Sequence, residues 1–256
     1  MTALTIELVP AFDDNYIFLA YDREDGVAAV VDPGDEAPVL KRLEALGLTL
    51  THIFNTHHHF DHTGANLALK DRFGLTIAGP KNEADKIPGI DIELGEGDRF
   101  TFGSHEAQIF DVPGHTAGHI GWWFERDEAL FIGDTLFALG CGRLFEGTPA
   151  QMWDAMSRLR QLPPQTKVYC AHEYTMGNAA FAVTVEPGNQ DLLNRVEDIK
   201  KMRADNIPTV PTTIGLEAAT NPFMRPDSPN LQQTIGLDGG DLVAIFAETR
   251  TRKDQF

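Results

Sequence analysis

The chain has 256 residues, 42% of them hydrophobic and 23% charged, the proportions of a soluble globular protein with one large core or two unequal domains. Its formal net charge of -17 repels phosphate backbones and argues against nucleic acid as a partner, while an anionic small molecule would need a local basic patch. No run approaches the ~20 apolar residues of a membrane span. Met1 to Leu8 has no basic region ahead of an apolar run, and two cysteines (Cys141 and Cys170) make no disulfide framework. A cytoplasmic, reduced, soluble protein is expected.

Leu4 to Val9, Tyr16 to Tyr21 and Val27 to Val31 read as strands, with a hairpin turn at Asp25-Gly26 between the last two. Asp32-Pro33-Gly34 ends the third strand with turn chemistry. Ala37 to Leu46 places Leu40, Leu43 and Leu46 on one helical face, and Gly47 is its stop. Leu50 to Phe54 has strand content, and Gly64 to Gly74 has a helical pattern carrying Leu67, Leu69 and Phe73. The middle section is strand-rich: Leu75 to Ala78, Arg99 to Phe102, Ala107 to Val112, Gly121 to Phe124 and Ala129 to Ile132. Pro149 to Leu162 is a predicted helix, capped by Thr148, with Pro149 at its first position and Pro163-Pro164 as its stop. Lys167 to Cys170 is one more short strand.

Past about Tyr174 the pattern predicts no further strand. Asp191 to Asn206 is an amphipathic helix with Leu192, Val196, Ile199 and Met202 on one face. A stretch punctuated by Pro208, Pro211, Pro222, Pro226 and Pro229 has no predicted local structure. Gly240 to Lys253 closes the chain as a helix. This order implies an α/β catalytic domain followed by a smaller helical one.

Four of the nine histidines and one aspartate fall in His57-His58-His59-Phe60-Asp61-His62, on the turn between a strand and a helix, where side chains can converge. Imidazole nitrogens and a carboxylate suit zinc, with iron or manganese as further candidates. Three more donors follow strand ends, the usual positions for a site in an α/β sheet: His115 after Pro113-Gly114, Asp134 after Gly133, and His172 after Ala171. Five histidines (His57, His59, His62, His115, His172) and two aspartates (Asp61, Asp134) can give two metals three protein ligands each, if one carboxylate bridges them.

These motifs resemble the metallo-β-lactamase fold family. The resemblance implies an α/β fold, a four-layer αββα sandwich, with the site at one edge of the paired sheets. It further implies His57, His59 and His115 on the first metal, Asp61, His62 and His172 on the second, and Asp134 bridging. His58 fills the motif's variable place and is expected to be a spectator. His119 is expected to be packed or to support a ligand. His52, on a strand, and His105, on a turn, have no assigned role.

A narrower resemblance covers nearly the whole chain. Asp13-Asp14-Asn15-Tyr16, Gly133-Asp134-Thr135-Leu136-Phe137, Gly140-Cys141-Gly142-Arg143, Phe145-Glu146-Gly147-Thr148, His172-Glu173-Tyr174-Thr175, Asn221-Pro222-Phe223-Met224-Arg225 and Lys253-Asp254-Gln255-Phe256 are similar to glyoxalase II, the hydroxyacylglutathione hydrolases. That implies a catalytic domain over residues 1–173 and a helical glutathione-binding domain over 174–256. It also implies hydrolysis of S-D-lactoylglutathione to D-lactate and glutathione, the second step of methylglyoxal detoxification. The chemistry suits the residues, because hydroxide shared by two metals about 3.5–4 Å apart is a strong nucleophile near neutral pH. A thiolate leaves without a strong acid, so no nucleophilic Ser or Cys is required and Cys141 is not expected to be one.

Arg143, Tyr174, Arg250 and Lys253 are the residues the resemblance assigns to glutathione, the last two to its glycyl carboxylate. Arg143 stands where the family commonly has lysine, which changes the geometry of the charge, and Phe145 replaces a tyrosine found in many members. The second reading is a mononuclear-iron sulfur dioxygenase acting on glutathione persulfide, and the third is a metal-binding protein without turnover. The expected partner is a small-molecule glutathione thioester, with no nucleic acid, no membrane and a monomeric chain.

Overall fold

The computed structural model describes residues 3–256, so the sequence-based reading of a leaderless N-terminus falls partly on Met1 and Thr2, which lie outside the described residues. The chain forms two compact units: Met1–Val112 with Thr116–Gly133, and Pro113–His115 with Asp134–Phe256.

The first unit runs β1 (Thr5–Ala11), β2 (Asn15–Asp22), β3 (Val27–Val31), α1 (Glu36–Leu46), β4 (His52–Phe54), α2 (Phe60–Thr63), α3 (Asn66–Phe73), β5 (Thr76–Pro80), β6 (Ile92–Leu94), β7 (Arg99–Phe102), β8 (His105–Asp111), β9 (Ile120–Phe124) and β10 (Ala129–Gly133). β1 to β6 form one sheet in chain order, antiparallel from β1 to β3 and parallel from β3 to β6. β7 to β10 pair antiparallel as consecutive neighbours.

β2 is buried along its whole length, which is why Tyr16 to Tyr21 is continuously apolar and not alternating. Its two faces still serve different layers, because successive side chains point to opposite sides of a strand. Ile17 and Leu19, with Val30, Ile53 and Ile77, pack against Val39 and Leu43 of α1 and Leu69 of α3. Phe18 and Phe54 face the other way, onto the β7–β10 strands. Phe18 meets Phe131 at 5.9 Å, and Phe54 stacks on Trp122 at 4.6 Å and meets Phe102 edge-on at 5.2 Å. Helix, sheet and sheet are therefore stacked within this unit. Asp35 caps α1 by accepting from Ala37 N–H, and Gly47 ends it in the left-handed region. β6, three residues at the sheet edge, was not expected from sequence.

The second unit runs β11 (Leu136–Phe137), β12 (Gly140–Cys141), α4 (Pro149–Leu159), β13 (Lys167–Cys170), α5 (Thr175–Val185), α6 (Gln190–Ala204), β14 (Thr212–Thr213), α7 (Ile214–Thr220), α8 (Pro229–Ile235) and α9 (Leu242–Asp254). α4 carries the expected capping box: Thr148 accepts from Gln151 N–H, and the Gln151 side chain accepts from Thr148 N–H. It ends at Leu159, not Leu162, because Pro163 has no N–H to give the Leu159 carbonyl and disfavours the helical region at Leu162. The bonds of Gln161 and Leu162 to carbonyls three residues back make the tighter last turn.

Contrary to the sequence expectation, a strand does follow Tyr174: β14 pairs antiparallel with β13. The Pro-spaced stretch holds two short helices, α7 and α8, capped by Thr213 and Ser228. α5 packs on α6 through Ala179, Ala182, Leu192 and Ile199 around Leu139. A buried polar knot holds that core's approach to β11 and β12. The Glu217 carboxylate accepts from Arg195, Thr212, Asn221 and Leu139 N–H, and Asn221 donates to the carbonyls of Phe137 and Gly140.

Candidate metal centre

In the first unit the site residues follow the ends of β3 and β4. Asp32, just past β3, is buried and stands at φ 51, a region that Asp tolerates better than most side chains. Its Oδ1 accepts Thr56 N–H at 2.8 Å and its Oδ2 accepts the Thr56 hydroxyl at 2.7 Å. With its proton committed to Asp32, Thr56 Oγ1 accepts from His57 Nδ1 at 3.0 Å. That fixes the His57 tautomer and leaves Nε2, 3.1 Å from His59 Nδ1, with its lone pair exposed to the cluster.

Asp32 also lies 3.2 Å from His62 Nδ1, which turns His62 Nε2 toward Asp61 Oδ2 at 3.3 Å. Asn15 donates to the same Asp61 oxygen at 3.0 Å. One buried carboxylate thus orients two of the histidines that the sequence singled out. His119 is buried, as one of the two expectations had it, and stacks on His57 at 4.6 Å. His58 is not idle, since its ring Nδ1 lies 2.8 Å from the buried Glu83 carboxylate.

In the second unit His115, Asp134 and His172 come together, all buried. Asp134 presents its two oxygens to different rings: Oδ2 to His115 Nε2 and Oδ1 to His172 Nε2, each at 3.4 Å. His115 Nδ1 donates to the Arg143 carbonyl at 3.0 Å, so the ring's lone pair lies on Nε2, on the Asp134 side. The Gly140-Cys141-Gly142 motif is explained by close packing. A Cβ on Gly142 would fall 1.9 Å from the Asp134 carbonyl oxygen. Tyr174 stacks flat on His172 at 4.7 Å.

Three of the four predicted glutathione contacts are cations, and two of these are engaged within the second unit. Arg250 is buried, donates to Asp254 Oδ1 from Nε and Nη2 and to the Cys141 carbonyl from Nη1, and lies over Phe223. Lys253 donates to the Gly177 carbonyl at 3.2 Å. Burial, reinforced by the Arg250 and Arg143 charges, holds the Lys253 pKa below its ordinary value. Arg143 is exposed. Burial pushes the Cys141 thiol up to about 11 and Cys170 up to about 12, so neither is a thiolate near neutral pH.

Sequence reasoning missed Asp32 and Glu83. Asp32 was read as a turn residue, and no local pattern ties it to Thr56, 24 positions away. His105, expected on a turn, begins β8 and lies buried between Asp22 and Asp127, apart from the ligand cluster.

Residues 12–172 match the family model of the metallo-β-lactamase superfamily, and residues 173–256 match that of the hydroxyacylglutathione hydrolase C-terminus. A hydroxyacylglutathione hydrolase of Methylococcus capsulatus is 53% identical over 253 residues, covering 99% of each chain. Among solved structures, ETHE1 from Myxococcus xanthus is similar with a TM-score of 0.67 and 25% identity, covering 98% of each chain. TTHA1623 in a di-iron-bound form is similar with a TM-score of 0.63 and 26% identity, covering 84% of this chain and 98% of that one. The chain has the metallo-β-lactamase fold with a helical C-terminal domain, and it belongs to the hydroxyacylglutathione hydrolase family.

Proposed function

We infer that this chain hydrolyses the thioester of an S-(2-hydroxyacyl)glutathione, with S-D-lactoylglutathione as its main substrate, releasing D-lactate and glutathione. The observation that carries the reading is the 53% identity over 99% of both chains with a relative bearing that enzyme's name. The matched stretch covers both the segments that carry the metal donors and the C-terminal helices.

The donor set fits a pair of divalent cations, most simply zinc, with iron and manganese accepted by the same nitrogen and oxygen ligands. We assign His57, His59 and His115 to one cation, Asp61, His62 and His172 to the other, and Asp134 to both. The split presentation of the Asp134 oxygens supports the bridging role. The hydrogen bonds on the far nitrogens of His57 and His115, and the Asp32 carboxylate 3.2 Å from His62 Nδ1, support those rings as ligands. Bound there, two cations would polarise the thioester carbonyl and ionise a water near neutral pH. Only two of the seven ligands are carboxylates, so the site keeps net positive charge toward an oxyanion.

The remaining work falls to the chain's own groups. Arg143, Tyr174, Arg250 and Lys253 hold glutathione, and Asp32 holds His57 and His62 in orientation. The thiolate leaves unassisted, and Cys141 stays protonated and plays no covalent part. In this reading residues 1–173 carry the chemistry and 174–256 bind glutathione. The protein acts as a cytoplasmic monomer on a small molecule, and its charge of -17 disfavours nucleic acid.

The sulfur dioxygenase reading is weaker, because the close full-length relative carries the hydrolase name. Purified protein incubated with S-D-lactoylglutathione should release thiol without consuming oxygen. Oxygen uptake on glutathione persulfide, with no thioester cleavage, would reverse the assignment.

A further inference from the structure

Glu83 lies in the turn Lys81–Lys86 after β5, and it is 1% exposed. A carboxylate that deep is costly unless its lone pairs are met by donors. Three donors meet it. Oε2 accepts the main-chain N–H of His58 at 3.0 Å and lies 2.8 Å from the same residue's ring Nδ1. Oε1 accepts the N–H of Gly118 at 2.7 Å.

The two segments it ties are distant in sequence and adjacent in function. His58 sits between His57 and His59, so fixing its peptide N–H sets the directions in which those two side chains leave the backbone. Gly118 immediately precedes His119, whose ring stacks on His57. The approach at Gly118 is so close that a Cβ there would lie 2.7 Å from Glu83 Cγ and 2.8 Å from Asn82 Cβ. Glycine at 118 and glutamate at 83 are thus one device.

We propose that Glu83 is a positioning residue of the metal centre. Its carboxylate locks the His57–His58–His59 backbone against the Gly118 turn and so sets the spacing of the His57 and His59 ring nitrogens, now 3.1 Å apart. His58 is the arm through which it acts. The inference rests on the assignment of His57 and His59 as metal ligands. The three groups that hydrogen-bond Glu83 are donors, so toward them it must offer acceptors only. Glutamine keeps the shape but turns an NH2 toward one donor.

The test compares Glu83→Gln and His58→Ala with the unmodified chain by three readouts. These are zinc affinity by competition with a chromogenic chelator, hydrogen exchange of the His58 and Gly118 amides in metal-free protein, and kcat and KM on S-D-lactoylglutathione. For Glu83→Gln we expect zinc affinity to fall by about 10- to 100-fold, the usual cost of removing a group that orients a metal ligand. Both amides should lose protection, and kcat should fall with KM within about twofold. His58→Ala keeps the main-chain anchor, so it should lose less affinity and leave Gly118 protected.

Unchanged zinc affinity in Glu83→Gln would overturn the proposal, as would His58→Ala proving the more severe variant. If Glu83→Gln did not fold, loss of zinc affinity in His58→Ala smaller than tenfold with Gly118 still protected would support it. A loss greater than a hundredfold would overturn it. If the unmodified chain failed to cleave the thioester, the functional reading would fall while the affinity and exchange comparison still decided the role of Glu83.

Discussion

Asp32 shows how much of the site one uncelebrated side chain can control. It accepts from Thr56 N–H and Oγ1 and faces His62 Nδ1, so two histidines depend on it for orientation. Asp32→Asn should lower metal affinity by about 10- to 100-fold while leaving a folded chain, measurable by chelator competition and circular dichroism. The cations of the second unit divide in the same way between structure and binding. Arg250 holds the Cys141 carbonyl and Asp254, so Arg250→Ala should cost stability as well as substrate affinity. Lys253→Ala should act on affinity with less effect on the melting temperature. Losing one charge-assisted hydrogen bond of about 1.5–3 kcal/mol corresponds to a rise in KM of about 10- to 100-fold, with kcat nearly unchanged. The proposed ligands stand out as candidates in the sequence, because His and Asp clustered after strand ends are rare. Asp32 and Glu83 do not, since each acts across tens of residues and only folding brings its partners to it.

At the scale of elements, most strands and the longer amphipathic helices were legible, while α5 and the shortest elements were not. β2, β3, β7 and β10 follow from β-branched and aromatic runs, and α4 from its capping box. α5 escaped because its buried stripe mixes polar Thr175 and Asn178 with Ala179, Ala182 and Val185, while its outer face carries apolar Met176, Ala180 and Val183. α8 did leave a signal, Ser228 followed by Pro229, the pairing of an N-cap with proline at the first helical position. β14 is two residues long and is defined only by its partner. The β4 strand carries the most weight for its length. Phe54 is fully buried against Trp122, Phe100 and Phe102, one residue before the segment that leads to His57. Phe54→Ala should destabilise the chain by about 3–5 kcal/mol in urea denaturation, the cost of an aromatic-sized cavity.

Over the whole molecule an acidic chain that takes an anionic substrate needs local cations, and Arg143, Arg250 and Lys253 are the ones proposed for it. They also make affinity depend on pH. Burial and its cationic neighbours lower the Lys253 pKa, so the ammonium is present below that value and lost above it. Affinity for glutathione, followed by calorimetry, should therefore weaken as pH rises, starting at a lower pH than for an ordinary lysine. The lowered pKa means that the unfolded chain binds more protons, so this group makes folding more favourable as pH rises, and unfolding on its account would not explain the loss.

The central claim is that the seven donors hold two metal ions that together serve thioester hydrolysis. Its most direct test is to strip the protein with a chelator and add zinc back in steps, following bound metal and thiol release from S-D-lactoylglutathione on the same sample, beside Asp134→Ala. Turnover should reach its plateau at two zinc ions per chain, and Asp134→Ala should bind less metal and show no measurable turnover. Full activity and metal content in Asp134→Ala, or an activity plateau with one ion bound, would contradict it.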